Sequence, residues 1–203
     1  MLEYDFDAET SLHRISLPLL AFTLADLVAT VSAQDAGVIA RSVAYQASSA
    51  LTYLHERGIA HRDVNPKNIM FDWDGVLKLV DFSTAFAPTV YHTGEEADEM
   101  VCQVGTGCVH VSTWPCDSLA LHRELTFSSY RAPELLFGTY SYRAPALDLW
   151  GLGACLADIF RGLGPLFDAS FGDIGLSASI FRIRGHPSLS WPASTASHVG
   201  NHH

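Results

Sequence analysis

Three oxygen-bearing side chains, Asp63, Asn68 and Asp81, surround one short hairpin pattern and could together carry out metal-assisted chemistry. Asp63 and Asn68 belong to a polar loop, and Asp81 follows two apolar runs joined by the pair Asp74-Gly75. The two runs are residues 69–71 and 76–80. An Asp-Gly pair between such runs predicts a β-hairpin. Asp63 and Asn68 therefore lie in a loop before the predicted hairpin, and Asp81 lies directly after it.

These residue types suit metal-assisted transfer of a group to a hydroxyl. Carboxylate and amide oxygens are the ligands that Mg²⁺ prefers, and a further carboxylate can orient an attacking hydroxyl group. In such reactions the protein mainly positions the reactants and the metal ion. Asp, Asn and Pro are also frequent in turns, so an ordinary polar loop is the competing explanation.

Residues 61–83 resemble the catalytic loop and metal-binding segment of protein kinases, H-R-D-x-x-x-x-N followed by D-F-G. The resemblance implies that Asp63 is the catalytic carboxylate and that Asn68 and Asp81 bind Mg²⁺. It also implies that ATP is the phosphoryl donor. It places Arg62 beneath the activation segment, where a cation can pair with a negative group.

Two residues depart from the family pattern inside this motif. Asn65 stands where the family usually has Lys, which removes a cation from the transferring phosphate. Loss of one electrostatic donor of this kind costs on the order of a hundredfold in rate. Ser83 replaces the Gly of D-F-G, and Ser adopts positive φ less readily than Gly. We therefore expect a locally different backbone at Ser83.

The segment before this motif predicts a strand, a connector and a helix. Residues 15–22 are apolar and contain Pro18, which suits an edge strand. By the resemblance they are the last strand of the small lobe and the hinge. Aligned backward from Asp26, the family pattern places Leu20 at the back of the nucleotide pocket and Asp26 beside the ribose. The implied nucleotide-binding residues are Leu20, Ala21, Phe22, Thr23, Asp26 and Met70. A buried strand followed by a helix-capping Asp26 explains the same residues.

A long helix is predicted over residues 34–57, because apolar residues recur there in steps of three and four. Ser32 with Asp35 resembles a capping pair, and Gly58 is a suitable stop. The helix leads directly into His61, as the helix before the catalytic loop of kinases does.

Residues 84–129 lack helical or strand periodicity and are predicted to form a loop that includes the activation segment. Val104-Gly105-Thr106 and the Y-R-A-P-E at residues 130–134 match the two halves of a continuous family motif, in which Thr106 is a site residue. Residues 109–129 therefore look like an insertion, for which a retained intron is one hypothesis. The acidic cluster within residues 95–99 is either solvated or pairs with Arg62.

Residues 146–153 resemble the family's D-x-W-S-x-G and predict a buried helix that continues through Phe160. The resemblance implies that Asp148 holds the backbone at His61 and Arg62. Residues 165–167 and 180–187 resemble the P-L-F and I-F-R-x-x-G-T-P of cyclin-dependent kinases. This likeness implies a serine/threonine kinase with a protein substrate and a cyclin-like or other regulatory partner.

Composition limits the other classes of function. The formal net charge of −10 argues against nucleic-acid binding, and the hydrophobic fraction of 48% indicates a globular chain. The apolar run at residues 17–31 contains Asp26 and is shorter than the roughly 20 residues of a membrane span. The four cysteines, with no secretory signal, predict free thiols in an intracellular protein of the cytoplasm, the nucleus or both.

The expected fold is α+β and mainly helical, a kinase-like large lobe with small β-hairpins and with the small lobe largely missing. Lys67 and Lys78 are the only lysines, and no glycine-rich loop precedes the hinge. We expect a partial kinase domain over residues 1–192, a disordered tail over 193–203, and little or no activity of this chain alone. The alternatives are a pseudokinase or interaction module, and a kinase-like small-molecule phosphotransferase. The latter would not explain the Y-R-A-P-E motif.

Overall fold

A computed structural model describes residues 3–7, 10, 12–87, 101–103, 129–136, 141–162 and 164–186. Within these ranges the helices are α1 (Leu24–Thr30), α2 (Ala36–His55), α3 (Pro133–Leu136), α4 (Ala144–Arg161) and α5 (Gly172–Arg184). The strands are β1 (Glu3–Asp7), β2 (Leu12–Ser16), β3 (Phe22–Thr23), β4 (Ile69–Phe71), β5 (Leu77–Leu79), β6 (Val101–Gln103) and β7 (Ser141–Arg143). The fold is thus mixed α and β with small antiparallel sheets, as the sequence predicts.

The core forms where α2 packs against α4 and β5. The buried residues of α2 are Ala36, Ala40, Val43, Ala47 and Leu51, which recur in steps of three and four on one helix face. They pack in one cluster with residues of α4 and of both hairpin strands. The helix predicted over residues 34–57 is confirmed with slightly shorter bounds. Gly58 follows it with φ of 71°, a left-handed conformation that glycine adopts without strain.

The predicted hairpin is also confirmed. β4 and β5 pair antiparallel with Met70 opposite Lys78, and Gly75 in the turn has φ of 78°. β3 adds to the free edge of β4, so the three strands form one sheet in the order β3-β4-β5. This sheet joins the segment before α1 to the segment that carries Asp81.

Helix α4 crosses beneath the loop that carries Asp63 and Asn68. Asp148 in its second turn is fully buried, and Gly151 one turn later lies directly under Val64. The helix ends at Gly162, which has φ of 61°. The buried helix predicted around residues 146–160 is therefore present and slightly longer.

The strand predicted over residues 15–22 has different bounds. β2 ends at Ser16, Pro18 lies in coil, and the next strand begins only at Phe22. β1 and β2 form a separate antiparallel hairpin whose contacts are chiefly with each other. Pro18 supplies no N–H group, which explains why regular pairing stops before it.

A second difference lies within the segment predicted to be loop. β6 occupies residues 101–103 and pairs antiparallel with β7. Backbone pairing over three residues needs no alternation of apolar side chains, so periodicity could not reveal it. Thr106, the acidic cluster, the tail at 193–203 and, except for Ser129, the predicted insertion lie outside the described residues.

Among the described residues, no helix is long and apolar enough to cross a membrane.

Gly151 provides a test of how tightly α4 packs beneath the loop. A Cβ atom at residue 151 would clash with the Val64 carbonyl oxygen and lie 3.1 Å from the Val64 Cβ. We expect Gly151→Ala to lower the free energy of unfolding by about 1–3 kcal/mol, because the loop backbone must shift. Urea denaturation measures this change.

Gly153→Ala is the matched control, because a Cβ atom there would meet nothing within 4 Å. Its better helix propensity should leave stability unchanged or raise it by up to about 1 kcal/mol. Equal effects of the two substitutions would contradict the proposed close packing.

Candidate active site

The buried Asp148 carboxylate holds the start of the catalytic loop. Its Oδ2 accepts hydrogen bonds from the His61 N–H at 2.9 Å and from His55 Nε2 at 2.7 Å. Its Oδ1 accepts one from the Arg62 N–H at 2.6 Å. This confirms the role predicted for Asp148.

Arg62 needs this support because its φ is 65°, a conformation that costs a non-glycine residue on the order of 1–3 kcal/mol. Hydrogen bonds to a charged group contribute about 1.5–3 kcal/mol each. The bonds to Asp148 are therefore strong enough to hold the strained turn.

Asp63 and Asn68 contact each other directly. The Asn68 amide nitrogen donates to Asp63 Oδ2 at 2.8 Å and to the Asp63 carbonyl oxygen at 2.9 Å. Asn68 is buried, so these bonds fix the orientation of its amide. Within the described part of the chain, neither Asn68 Oδ1 nor Asp63 Oδ1 receives a hydrogen bond. One oxygen of each side chain is thus available to a ligand.

Asp81 is tied to the same loop through its neighbour Val80. The Val80 N–H donates to the Asn68 carbonyl oxygen at 3.0 Å, and the Val80 carbonyl oxygen accepts from His61 Nε2 at 2.9 Å. Asp81 itself is exposed and has φ of 62°. The hairpin therefore brings the three predicted chemical residues, Asp63, Asn68 and Asp81, into one neighbourhood.

Asn65 bonds within the loop. Its Oδ1 accepts from the Lys67 N–H at 2.9 Å and from the Asn68 N–H at 3.3 Å, and its Nδ2 donates to the Asp63 carbonyl oxygen at 3.2 Å. This is an Asx turn, in which an asparagine side chain closes the backbone. Asn65 thus shapes the loop and brings no cation to it.

Ser83 does not adopt the positive φ that glycine would tolerate. Among the described non-glycine residues, positive φ occurs at Arg62 and Asp81 and not at Ser83. The turn after β5 takes its unusual conformation at Asp81, one of the residue types that tolerate it better than most.

Arg62 also fastens the segment that follows Asp81. Its Nε donates to the Thr84 carbonyl oxygen at 2.6 Å, and the Thr84 hydroxyl donates to the His61 carbonyl oxygen at 3.2 Å. Ala60 and Phe86 then form an antiparallel bridge. The alternative partner suggested for Arg62, the acidic cluster, lies outside the described residues.

The predicted hinge residues lie at the sheet edge next to this site. Thr23 pairs with Met70, and Phe22 pairs with Phe71, whose carbonyl oxygen also accepts the Ala21 N–H at 2.8 Å. Leu20 precedes them in coil and is half-buried. Met70 is therefore adjacent to the proposed hinge, as a shared pocket requires.

Asp26 forms a capping box with Thr23 at the start of α1. Its Oδ2 accepts from the Thr23 hydroxyl at 2.7 Å and from the Thr23 N–H at 2.9 Å, and the Thr23 hydroxyl oxygen accepts the Asp26 N–H at 3.1 Å. The hydroxyl bond, followed by the backbone bond, holds the pKa of Asp26 below its ordinary value. The helix-capping explanation of Asp26 therefore has direct geometric support.

The Y-R-A-P-E segment is anchored on α4 and α5. The Tyr130 hydroxyl donates to Asp158 Oδ2 at 2.6 Å, and Arg131 pairs with Asp173 at 3.2 Å. Burial raises the pKa of both Tyr130 and Asp158. Thr106, which belongs to the first half of the same family motif, lies outside the described residues.

Sequence reasoning missed His55, which bonds the same Asp148 oxygen as the His61 N–H. The sequence offered one indication of this role, since His55 is a histidine in the last turn of the helix that precedes the loop. Nothing in the local sequence connects it with a residue 93 positions away.

Removal of one acceptor at Asp148 should loosen the catalytic loop. Asp148→Asn keeps the shape of the side chain but places an NH₂ group against a buried donor. We expect the free energy of unfolding to fall by about 1–3 kcal/mol, the cost of an unsatisfied buried polar group. Chemical denaturation measures the free energy of unfolding of this variant, and Asp74→Asn is the control.

Asp74 is an exposed carboxylate in the β4–β5 turn, so its substitution should change stability by no more than about 0.5 kcal/mol. An Asp148→Asn variant as stable as Asp74→Asn would refute the bracing role.

Comparison with known proteins gives consistent results. The protein kinase domain family matches residues 23–197. Serine/threonine-protein kinase csk1 of Schizosaccharomyces pombe is 35% identical over 156 residues, which are 74% of this chain and 43% of that protein. Protein kinase gsk3 of the same organism is 33% identical over 145 residues, 71% of this chain and 30% of that protein.

Serine/threonine-protein kinase SSN3 of Candida glabrata is 35% identical over 128 residues, 63% of this chain and 18% of that protein. Among solved structures, a chain of the yeast RNA Pol II CTD kinase CTDK-1 complex aligns with TM-score 0.61 and 26% identity, covering 94% of this chain and 53% of its own. The chain thus spans about half or less of the length of these relatives. It belongs to the protein kinase family, with serine/threonine kinases among its relatives and cyclin-dependent-kinase-like motifs in its sequence.

Proposed function

We propose that the protein transfers the γ-phosphate of ATP to serine or threonine hydroxyl groups of protein substrates, as a cyclin-dependent type of kinase. The observation that supports this most directly is the cluster of Asp63, Asn68 and Asp81. Asn68 bonds to Asp63 at 2.8 Å, and its carbonyl oxygen accepts a 3.0 Å bond from the N–H of Val80, the residue before Asp81. A bond network of this kind can hold a catalytic carboxylate in place relative to metal ligands.

The residues of this cluster fit Mg²⁺. Asn68 Oδ1 and Asp81 Oδ2 receive no hydrogen bond within the described ranges, and both are hard oxygen donors. Mg²⁺ is usually held by one or two carboxylates together with phosphate oxygens and water, and two protein oxygens match that pattern. A bound Mg²⁺ would neutralise negative charge on the phosphates.

Asp63 is proposed to hold the substrate hydroxyl through Oδ1, because its Oδ2 is occupied by Asn68. Arg62 is proposed to support the activation segment through Thr84. Thr106 remains a proposed site residue on the strength of the V-G-T motif. Asn65, also proposed as part of the catalytic loop, would shape that loop through its Asx turn.

The nucleotide is proposed to bind at the sheet edge formed by Leu20, Ala21, Phe22, Thr23 and Met70. The N–H groups of Ala21 and Thr23 already bond to Phe71 and Asp26. The coil at residues 17–20 makes no hydrogen bond in the described structure, and we propose that its backbone groups meet the base. Asp26 would have to release Thr23 to reach a ribose.

We propose that these 203 residues alone have little or no kinase activity. Kinases hold the α- and β-phosphates with a glycine-rich loop and a lysine on a small-lobe strand. The two lysines of this sequence, Lys67 and Lys78, both follow the catalytic Asp63. The activity would then depend on a phosphate-holding lysine from outside these residues.

We also propose a cyclin-like or other regulatory protein partner, since the CTDK-1 relative was solved as a complex. An intracellular location, in the cytoplasm, the nucleus or both, remains part of the proposal. It is supported by the free thiol of the buried Cys155.

One observation favours a second candidate, an interaction module that keeps the fold without catalysis. Asn65 closes the loop at the position where the family supplies a lysine. Without that cation the transferring phosphate loses an electrostatic partner. A protein that binds partners and not metal–nucleotide would be compatible with this loop.

Magnesium-dependent ATP binding by the 203-residue chain separates the two candidates. For the kinase candidate we expect Mg²⁺ with ATP to raise the melting temperature, because ligand binding stabilises the folded state. Asp81→Asn should lose this shift, because it removes a metal ligand. Asp63→Asn should keep the shift while abolishing any phosphate transfer, and Asp74→Asn should change neither.

A folded chain that shows no shift with Mg²⁺ and ATP would contradict the kinase proposal and favour the interaction module. A shift that persists in Asp81→Asn would show that the metal is held elsewhere.

A further inference from the structure

Ser83 forms a contact that the family's glycine cannot make. Its hydroxyl donates a hydrogen bond to Asp81 Oδ1 at 2.6 Å, and its backbone N–H donates to the same oxygen at 3.3 Å. The backbone bond is open to any residue at this position except proline, but the hydroxyl bond requires serine or threonine. The replacement of glycine therefore adds a side-chain donor to a proposed metal ligand.

The two oxygens of the Asp81 carboxylate are consequently different. Oδ1 is engaged by Ser83, whereas Oδ2 receives no hydrogen bond from the described residues. The backbone of Asp81 is held at φ of 62°, and the adjacent Val80 is fixed on Asn68. The Asp81 side chain is thus restrained by its backbone at one end and by the bonds to Oδ1 at the other.

We propose that Ser83 is a positioning residue whose hydrogen bonds occupy Asp81 Oδ1. Oδ2 is then the single metal-binding oxygen of that carboxylate, and this arrangement favours Mg²⁺ over Ca²⁺. The inference rests on the proposed function, because it assumes that Asp81 binds the metal of the phosphoryl-transfer site. It concerns how residue 83 affects the choice of ion, which the family resemblance, with glycine at this position, does not address.

The preference follows from the coordination habits of the two ions. Mg²⁺ demands a near-ideal octahedron with six ligands and binds a carboxylate comfortably through one oxygen. Ca²⁺ takes six to eight oxygens and often uses both oxygens of one carboxylate. The two bonds from Ser83 use both lone pairs of Oδ1, so one of them must be broken before Asp81 can bind in this second way. The arrangement therefore penalises Ca²⁺ more than Mg²⁺.

A second aspartate and serine two residues apart, Asp168 and Ser170, precede α5. The Ser170 N–H donates to Asp168 Oδ1 at 2.8 Å, and a hydrogen bond from the Ser170 side chain contributes to a lowered pKa of Asp168. Both residues are exposed and precede α5. Ser170→Ala therefore removes a serine hydroxyl beside an exposed aspartate and leaves every proposed site residue unchanged.

The test measures the binding of each metal ion alone to the intact 203-residue chain. Backbone amide signals of Asp81 and Ser83, and the side-chain amide of Asn68, are followed by NMR during separate titrations with MgCl₂ and CaCl₂. The quantity of interest is the ratio of the Ca²⁺ dissociation constant to the Mg²⁺ dissociation constant. A loss of folding would move both constants together and would not move this ratio.

We expect Ser83→Ala and Ser83→Gly to lower the ratio by about tenfold, the equivalent of one hydrogen bond to a charged group. Ser83→Thr keeps a hydroxyl and should retain the ratio of the natural chain, as should Ser170→Ala. Repeating the titrations in the presence of ATP then tests the nucleotide site separately.

An unchanged ratio in Ser83→Ala and Ser83→Gly would overturn the inference, as would a Ser83→Thr variant that behaves like Ser83→Ala. Absence of any metal response at Asp81 and Asn68 in the natural chain would overturn it as well. If the metal ratios behave as expected but ATP adds no binding, the kinase proposal fails and the ion preference stands. If Mg²⁺ with ATP binds but the ratio does not respond to Ser83, only the ion preference fails.

Discussion

A single buried carboxylate, that of Asp148, determines the shape of the candidate site. It receives two backbone N–H groups from the strained turn at His61 and Arg62 and a ring nitrogen from His55. A helix residue thereby fixes a loop 86 positions earlier in the chain. Asp63 follows this turn directly, so its position depends on a bond made in the core. The close approach of Gly151 to Val64 brings the helix near enough for that bond to form.

The proposed metal-binding half of the site is organised through backbone contacts. Val80 links the end of β5 to Asn68 on one side and to His61 on the other. Side-chain bonds then complete the arrangement: Asn68 orients Asp63, and Ser83 orients Asp81. The two departures from the family pattern thus have different consequences. Asn65 replaces a charge with a turn-forming side chain, whereas Ser83 adds a hydrogen bond to Asp81, a proposed metal ligand.

Local sequence patterns predicted well those elements whose form is set by neighbouring residues. The α2 helix shows a continuous apolar face, and the β4–β5 hairpin carries an Asp-Gly turn, so both were found close to their observed bounds. The segment around Pro18 and the short strand β6 were placed less well. A two- or three-residue strand has too few positions to show an alternation, and its existence depends on a partner elsewhere in the chain.

The family resemblance and the candidate site residues follow from sequence alone, because Asp63, Asn68 and Asp81 lie in motifs with fixed spacing. The sequence also predicted Asp148 as the brace. The tertiary structure was needed to show how each of these groups is oriented. It showed that Asp26 caps a helix, that Asn65 closes a turn, that His55 shares the Asp148 carboxylate, and that Ser83 avoids positive φ. Hydrogen bonds depend on angles and distances of a few tenths of an ångström between segments far apart in the chain, and residue spacing carries no information about them.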